Sequence, residues 1–126
     1  MVRTELILRL PNSPGALAAV CRLLADAHVN IIAVSLDAGG HCRFMVDNPV
    51  TAIGVLREGH HAVAERDVVL VALSNRPGAL AEVLTLVRDA GVNIDYAYAA
   101  AAEGAASAVV VIGVDDAMRA ATAAGV

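Results

Sequence analysis

The sequence predicts an α+β protein made of two tandem βαββαβ units, residues 1–67 and 68–126, with antiparallel strands and with both helices of a unit on one face of its sheet. The main observation is an internal repeat. Leu8–Leu36 and Val71–Ala99 align at an offset of 63 residues with fourteen identical positions out of twenty-nine, which indicates a duplicated structural unit. In each copy, a proline-glycine turn separates a strand-like segment from a segment whose apolar residues have helical spacing.

The first half of the first unit has the pattern of a strand, a turn and a helix. The residues of Leu6–Leu10 alternate in hydropathy, as those of a half-buried strand do. The turn Asn12–Gly15 follows and predicts a helix that Ser13 caps, with Pro14 at the first helical position. Apolar residues at helical spacing continue to Ala27, so we expect the helix to extend that far.

The other elements follow from strand propensity, turn glycines and helix caps. In the first unit they are a strand at Asn30–Leu36, a hairpin turn at Asp37–Gly40, a strand at His41–Val46, a helix from Pro49 to about Glu58 and a strand at Ala62–Asp67 that continues into Val68–Leu73. In the second unit they are a helix at Pro77–Ala90, strands at Asn93–Ala100 and Ala108–Val114, and a helix at Asp116–Ala124.

The second unit has no counterpart of the strand predicted at Ala62–Asp67. Either the chain is trimmed at this end, or the second unit has a three-stranded sheet with an exposed edge. An exposed edge strand pairs readily with another chain. We therefore expect this end to contribute to self-association or to poor solubility.

Composition excludes several classes of function. The net charge is −4, and nine Lys and Arg residues are scattered among thirteen Asp and Glu residues, so the basic surface that nucleic acid requires is missing. No uncharged apolar run approaches the ~20 residues of a membrane helix, and Glu5 and Arg9 interrupt the only candidate for a secretory signal. We expect a cytoplasmic protein that binds neither nucleic acid nor membrane.

No arrangement of residues predicts catalysis or metal binding. His60 and His61 are adjacent, so on an extended strand they point to opposite faces and do not easily share one ion. Cys21 and Cys42 are too far apart for a Cys-x-x-Cys motif and are interpreted as reduced thiols. No glycine-rich phosphate loop is present. We expect a protein that is not an enzyme and that uses no cofactor and no metal.

The proline-glycine turns are candidate binding elements. At a helix start the first backbone N–H groups have no partner within the helix and the dipole is positive, so a carboxylate is favoured there. Asn12 and Asn75 add a carboxamide to each turn, and Asn30 and Asn93 begin the next strand. Each asparagine also has a structural interpretation, as a helix cap or as a turn residue. The repeat alone does not decide between the two.

Residues in both copies resemble a known family. "NRPGAL" followed by "DAGVNI", with "SPGAL" and "VNI" in the first copy, resembles the ACT domain, an amino-acid-sensing module of regulated metabolic enzymes. From Leu6 to Val126 the chain resembles the stand-alone tandem ACT proteins, and "NIDYAYA" is similar to a strand of their second repeat. The resemblance implies ferredoxin-like units that pair side by side into one eight-stranded sheet. It also implies non-enzymatic regulation by a small amino acid bound between units.

The resemblance implies two sites, each combining the turn of one unit with the strand of its neighbour. One would use Asn12, Ser13, Pro14, Gly15, Ala16 and Leu17 with Asn93 and Ile94. The other would use Asn75, Arg76, Pro77, Gly78, Ala79 and Leu80 with Asn30 and Ile31. The expected partners are a free amino acid or small carboxylate, a second copy of the chain in a homo-oligomer, and a metabolic enzyme.

Two questions stay open at this point. The paired units could instead be an interaction or dimerisation module that regulates a metabolic enzyme without binding a small ligand. The sites also differ: Arg76 stands where the first copy has Ser13, so a carboxylate should prefer that site. Tyr96 and Tyr98, two apart on a strand, share a face and either line a pocket or cover a seam between units.

Overall fold

The computed structural model describes all residues from Met1 to Val126. It contains six strands and four helices: β1 Val2–Arg9, α1 Ala16–Asp26, β2 Ile31–Leu36, β3 His41–Val46, α2 Pro49–Glu58, β4 Ala64–Ser74, α3 Ala79–Asp89, β5 Ile94–Ala100, β6 Ser107–Val114 and α4 Ala117–Ala124. The predicted α+β class and the tandem organisation are confirmed. None of the four helices is both long enough and apolar enough to cross a membrane.

The chain divides into two compact units, and the division falls inside β4. The first unit is Thr4–Arg66, and the second unit is Met1–Arg3 together with Asp67–Val126. In the first unit the strand order is β2-β3-β1, and in the second it is β4-β6-β5; all these pairings are antiparallel. The outer strands β2 and β5 therefore have one neighbour each.

The core of the first unit lies between its sheet and its two helices. Leu6 pairs with Phe44 and Leu8 with Cys42, and because paired residues share a face, all four side chains point to the helices. Val20 of α1 and other residues of both helices complete this buried cluster. Burial of each such apolar side chain stabilises the fold by about 1.5–3 kcal/mol. The alternation of buried apolar residues along β1 and β3 therefore determines which face of the sheet the helices cover.

The second unit repeats this arrangement with smaller side chains. Val69 pairs with Ile112 and Val71 with Val110, and these four residues pack with helix residues that include Val83 and Val87 in one buried cluster. Within each unit, two helices thus cover one face of the sheet, as the repeat predicts.

The start of the chain belongs to the second unit. The backbone N–H of Leu70 donates to the carbonyl of Met1 (2.9 Å), the carbonyl of Leu70 accepts from the nitrogen of Met1 (2.8 Å), and Val2 packs against the core of the second unit. The sequence predicts an exposed sheet edge in the second unit. At Leu70 this edge is hydrogen-bonded to the first residue of the chain. This contact joins residues 69 positions apart, so no local sequence pattern indicates it.

One predicted feature of the fold was wrong. Ser13 does not cap α1: the helix begins at Ala16, and its N-cap is Gly15, with φ of 83° and no side-chain cap bond. The Ala16 N–H donates to the Ser13 carbonyl (3.3 Å), so Ser13–Ala16 is a turn before the helix. The strand predicted at Ala62–Asp67 does continue into Val68–Leu73, as the single strand β4, and the chain has six strands in all.

Candidate ligand-binding site

The loop before α1 presents free backbone amides to solvent. Gly15 takes the left-handed conformation, which a residue without a Cβ adopts easily, and the chain enters α1 directly afterwards. The N–H groups of Leu17 and Ala18 have no acceptor within the chain. They lie at the positive end of an eleven-residue helix, where an anionic group is stabilised.

A depression of about 160 Å³ adjoins this loop. We call it the first depression. It is lined by Pro11, Asn12, Ser13, Gly15, Ala16, Leu17, Ala18, Leu36, Asp37 and Gly40. Most predicted residues of this loop therefore line one concave surface. The β2–β3 hairpin closes one side of it, because the N–H of Leu10 donates to the carbonyl of Gly40 (2.8 Å). At Gly40 a Cβ would collide with the Leu10 carbonyl oxygen.

The loop before α3 has the same backbone geometry. Gly78 has φ of 88° and is the N-cap, and the N–H of Ala79 donates to the carbonyl of Arg76 (3.3 Å). The N–H groups of Leu80 and Ala81 have no acceptor within the chain. The adjoining second depression has a volume of about 230 Å³ and is lined by Leu73, Ser74, Asn75, Arg76, Ala79, Leu80, Ala99, Ala100, Ala101 and Ala108.

The two depressions carry different charges. Arg76 lines the second depression and forms an ion pair with Glu82 in the first turn of α3 (Nη2 to Oε2, 2.7 Å). The hydrogen bond and the opposite charge raise the pKa of Arg76 and lower the pKa of Glu82. The first depression instead contains Asp37, whose pKa is lowered chiefly because it accepts a hydrogen bond from the backbone N–H of His41.

Asn12 and Asn75 occupy equivalent loop positions but make different contacts. The Nδ2 of Asn75 donates to the carbonyl of Ala105 (2.8 Å), and its backbone N–H donates to the carbonyl of Ala106 (3.0 Å). Asn75 therefore attaches the loop before α3 to the β5–β6 hairpin, whose alanines line the second depression. Asn12 is exposed and has no such bond to its hairpin.

Asn30 and Asn93 lie away from the depressions of their own units. Asn30 precedes β2, whereas the first depression adjoins Leu36 at the other end of that strand, about 20 Å away at 3.3 Å per residue. The backbone N–H of Asn30 donates to Asp47 (2.9 Å) and that of Asn93 donates to Asp115 (3.2 Å). Neither aspartate was predicted from the sequence, although each stands at the same place before the second helix of its unit.

Comparison with known proteins identifies the family. The model of the ACT domain pair matches residues 1–124. The chain belongs to the ACT domain pair family. Its fold matches protein BT0572 from Bacteroides thetaiotaomicron, with a TM-score of 0.86 and 34% sequence identity over 98% of this chain and 86% of that one. No curated protein matches the chain.

Two regulatory subunits share the fold of this ACT domain pair. The ligand-free regulatory subunit of aspartate kinase from Thermus thermophilus has a TM-score of 0.73 and 20% identity, over 99% of this chain and 92% of that one. The regulatory subunit of aspartate kinase from Thermus flavus has a TM-score of 0.67 and 18% identity, over 99% and 94%. At these identities the likeness shows the fold alone.

The tyrosines of this ACT domain pair do not line the second depression. Tyr96 and Tyr98 do share a face, as the sequence predicts, and their rings stack with centroids 6.4 Å apart. They pair with Gly113 and Val111, whereas the neighbouring Val110 and Ile112 face the helices. The tyrosines thus lie on the helix-free face of the sheet. The Tyr96 ring packs over Gly113 and fills the space that a Cβ at position 113 would take.

Proposed function

We propose that this ACT domain pair is a non-enzymatic regulatory protein that binds a free amino acid in the depressions beside its two proline-glycine loops. The observation that carries the proposal is the repeated loop geometry. Both loops end in a left-handed glycine, both leave two helix amides without an internal acceptor, and both border a depression. The ligand carboxylate would accept hydrogen bonds from Leu17 and Ala18, or from Leu80 and Ala81.

A second structural unit would complete each site. The depressions are open, and the predicted strand residues Asn30, Ile31, Asn93 and Ile94 lie at the far ends of the edge strands. An antiparallel neighbour would place such a segment beside a depression, where an asparagine carboxamide can both donate to a carboxylate and accept from an ammonium group. The proposed ligand is therefore a small zwitterion bound between units.

The two sites would differ in preference. Arg76 gives the second depression a guanidinium, which binds a carboxylate through paired N–H groups. Glu82 already occupies that guanidinium, so an incoming carboxylate must compete with it. The first depression has Ser13 in this position and also contains Asp37. We therefore propose that a dicarboxylic or strongly anionic ligand selects the second site.

Regulation requires a partner, since binding alone changes nothing downstream. The regulatory subunits that share the fold are those of aspartate kinase, which supports a metabolic enzyme as the partner. The competing function is an interaction module that docks to such an enzyme without a ligand. A melting panel in which no amino acid raises the melting temperature, together with co-purification of an enzyme, would favour this second function.

The test is thermal melting of the purified protein with each of the twenty amino acids. A ligand present at a hundred times its Kd stabilises the fold by about 2.7 kcal/mol, which raises the melting temperature measurably. The variant Arg76→Ser gives the second loop the residue that the first loop has at this position. We expect it to lower the affinity for an anionic amino acid at least about tenfold. Arg88→Ser is the matched control, because Arg88 is an exposed arginine of α3 paired with Asp89 and outside the depression. Equal weakening by both variants would contradict the assigned role of Arg76.

A further inference from the structure

The two depressions carry opposite charges at positions that the repeat makes equivalent. Asp37 is the only charged residue that lines the first depression, and Arg76 is the only one that lines the second. At the 63-residue offset of the repeat, Ala100 stands where the first unit has Asp37, and Ser13 stands where the second unit has Arg76. All four residues line their depressions. The charge of this surface is therefore reversed between the two units.

The carboxylate of Asp37 is held in place by its own hairpin. Its Oδ1 accepts from the backbone N–H of His41 (3.1 Å), and each of its two oxygens lies 3.2 Å from Nδ1 of the His41 ring. Nη1 of Arg9 lies 3.3 Å from Nε2 of the same ring. Because a guanidinium can only donate, Nε2 accepts that bond, and Nδ1 carries the proton that is donated to Asp37. His41 therefore fixes the direction of the carboxylate.

This carboxylate can accept a further hydrogen bond from a ligand. The hydrogen bond from the His41 backbone keeps the pKa of Asp37 below its usual value, so the group is ionised at neutral pH. Its oxygens can accept about four hydrogen bonds, more than His41 and the backbone N–H of Gly39 supply. The Asp37 side chain is also 54% exposed. A cation in the first depression would gain a charge-assisted hydrogen bond there.

We propose that Asp37 is a specificity-determining residue, which gives the first depression a preference for an amino acid with a cationic side chain, such as lysine. The proposal rests on the proposed function, in which the amides of Leu17 and Ala18 hold the α-carboxylate. Those amides begin a helix, and a helix with its side chains is about 10–12 Å across, whereas Asp37 lies in the turn between β2 and β3. An extended side chain spans this separation. The α-ammonium group, which is next to the carboxylate, does not.

The test is a titration of ¹⁵N-labelled protein with L-lysine and with L-norleucine, followed by nuclear magnetic resonance at the amides of Leu17 and Ala18. Norleucine has the α-groups and the carbon chain of lysine without the terminal ammonium. Asp37→Asn removes the charge and keeps the shape of the side chain. Asp26→Asn is the matched control, because Asp26 is an exposed carboxylate at the other end of α1, outside the first depression. Far-UV circular dichroism verifies that each variant is folded.

We expect the wild type and Asp26→Asn to bind lysine at least about tenfold more tightly than norleucine, which is the lower end of what a hydrogen bond to a charged group contributes. Asp37→Asn should bind the two ligands equally. Equal binding by the wild type, or a lysine preference that persists in Asp37→Asn, would overturn the proposal. The comparison on the wild type requires no variant, so it decides the matter even if Asp37→Asn does not fold.

The same spectra separate this proposal from the proposed function. Saturable shifts at Leu17 and Ala18 that are equal for both ligands would refute the role of Asp37 and still support binding at the loop, whereas no shift with either ligand would refute both. The amides of Leu80 and Ala81 provide an internal control, because Ala100 offers no carboxylate there and Arg76 repels a cation. A similar lysine preference at those amides would overturn the proposal, since the net charge of −4 would then explain it.

Discussion

At the scale of single residues, equivalent positions of the repeat have acquired different roles. Asn75 holds the β5–β6 hairpin through its side chain and its backbone, whereas Asn12 leaves its carboxamide exposed. The left-handed position after the first helix is His28 in one copy and Gly91 in the other. The role of a repeated position therefore depends on the hairpin or helix that its residue contacts.

Asp37 provides a pH-dependent test at this scale. Its pKa is lowered chiefly because its carboxylate accepts a hydrogen bond from the backbone N–H of His41 (3.1 Å). The unfolded chain therefore binds this proton more tightly than the folded one, and the contribution of Asp37 to stability is present above the unfolded pKa of about 3.9. It is lost as the pH falls through the lower, folded pKa.

We therefore expect Asp37→Asn to be less stable than the wild type at neutral pH and the difference to shrink in acid. Urea unfolding of both proteins between about pH 7 and pH 3 measures it. Asp26→Asn, which removes an exposed carboxylate 3.9 Å from Arg22, corrects for the loss of one charge. A difference that stays constant over this range would show that the hydrogen bond does not favour the ionised carboxylate.

At the scale of elements, the two kinds of helix start differ in what stabilises them. Asn48 caps α2, with its Oδ1 accepting from the N–H of Thr51 (3.2 Å). Before α1 the left-handed Gly15 takes the cap position and Ser13 only closes a turn. We expect Asn48→Ala to lower the free energy of unfolding by about 1 kcal/mol. Ser13→Ala should change it by less than about 0.5 kcal/mol. Urea unfolding compares them, and equal losses would mean that Ser13 caps α1 after all.

Most elements could be predicted because their signals are local. The bounds of β3 agree with those predicted from the sequence, and the asparagine before Pro49 correctly marks the start of α2. The N-cap of α1 was predicted two residues too early, at Ser13 instead of Gly15, because Ser-Pro is also the pattern of a helix start. The left-handed conformation of Gly15 decides between the two patterns, and this backbone angle is not visible in the sequence.

At the scale of the whole molecule, the features that could not be predicted are long-range contacts. The bond between Met1 and Leu70 and the support of Asn30 by Asp47 each join segments that no periodicity connects. The proline-glycine loops were predicted as binding elements because the repeat preserves them, and the structure shows that each borders a depression. The combination of a loop with a strand of another unit stays a prediction.

The central claim is that backbone amides at the starts of α1 and α3 bind the carboxylate of an amino acid. Nuclear magnetic resonance of ¹⁵N-labelled protein, titrated with the best hit of the melting panel, tests it most directly. We predict saturable chemical-shift changes at the amides of Leu17 and Ala18, of Leu80 and Ala81, or of both pairs. Saturable changes confined to other amides, such as those of the α2 and α4 surfaces, would contradict the claim.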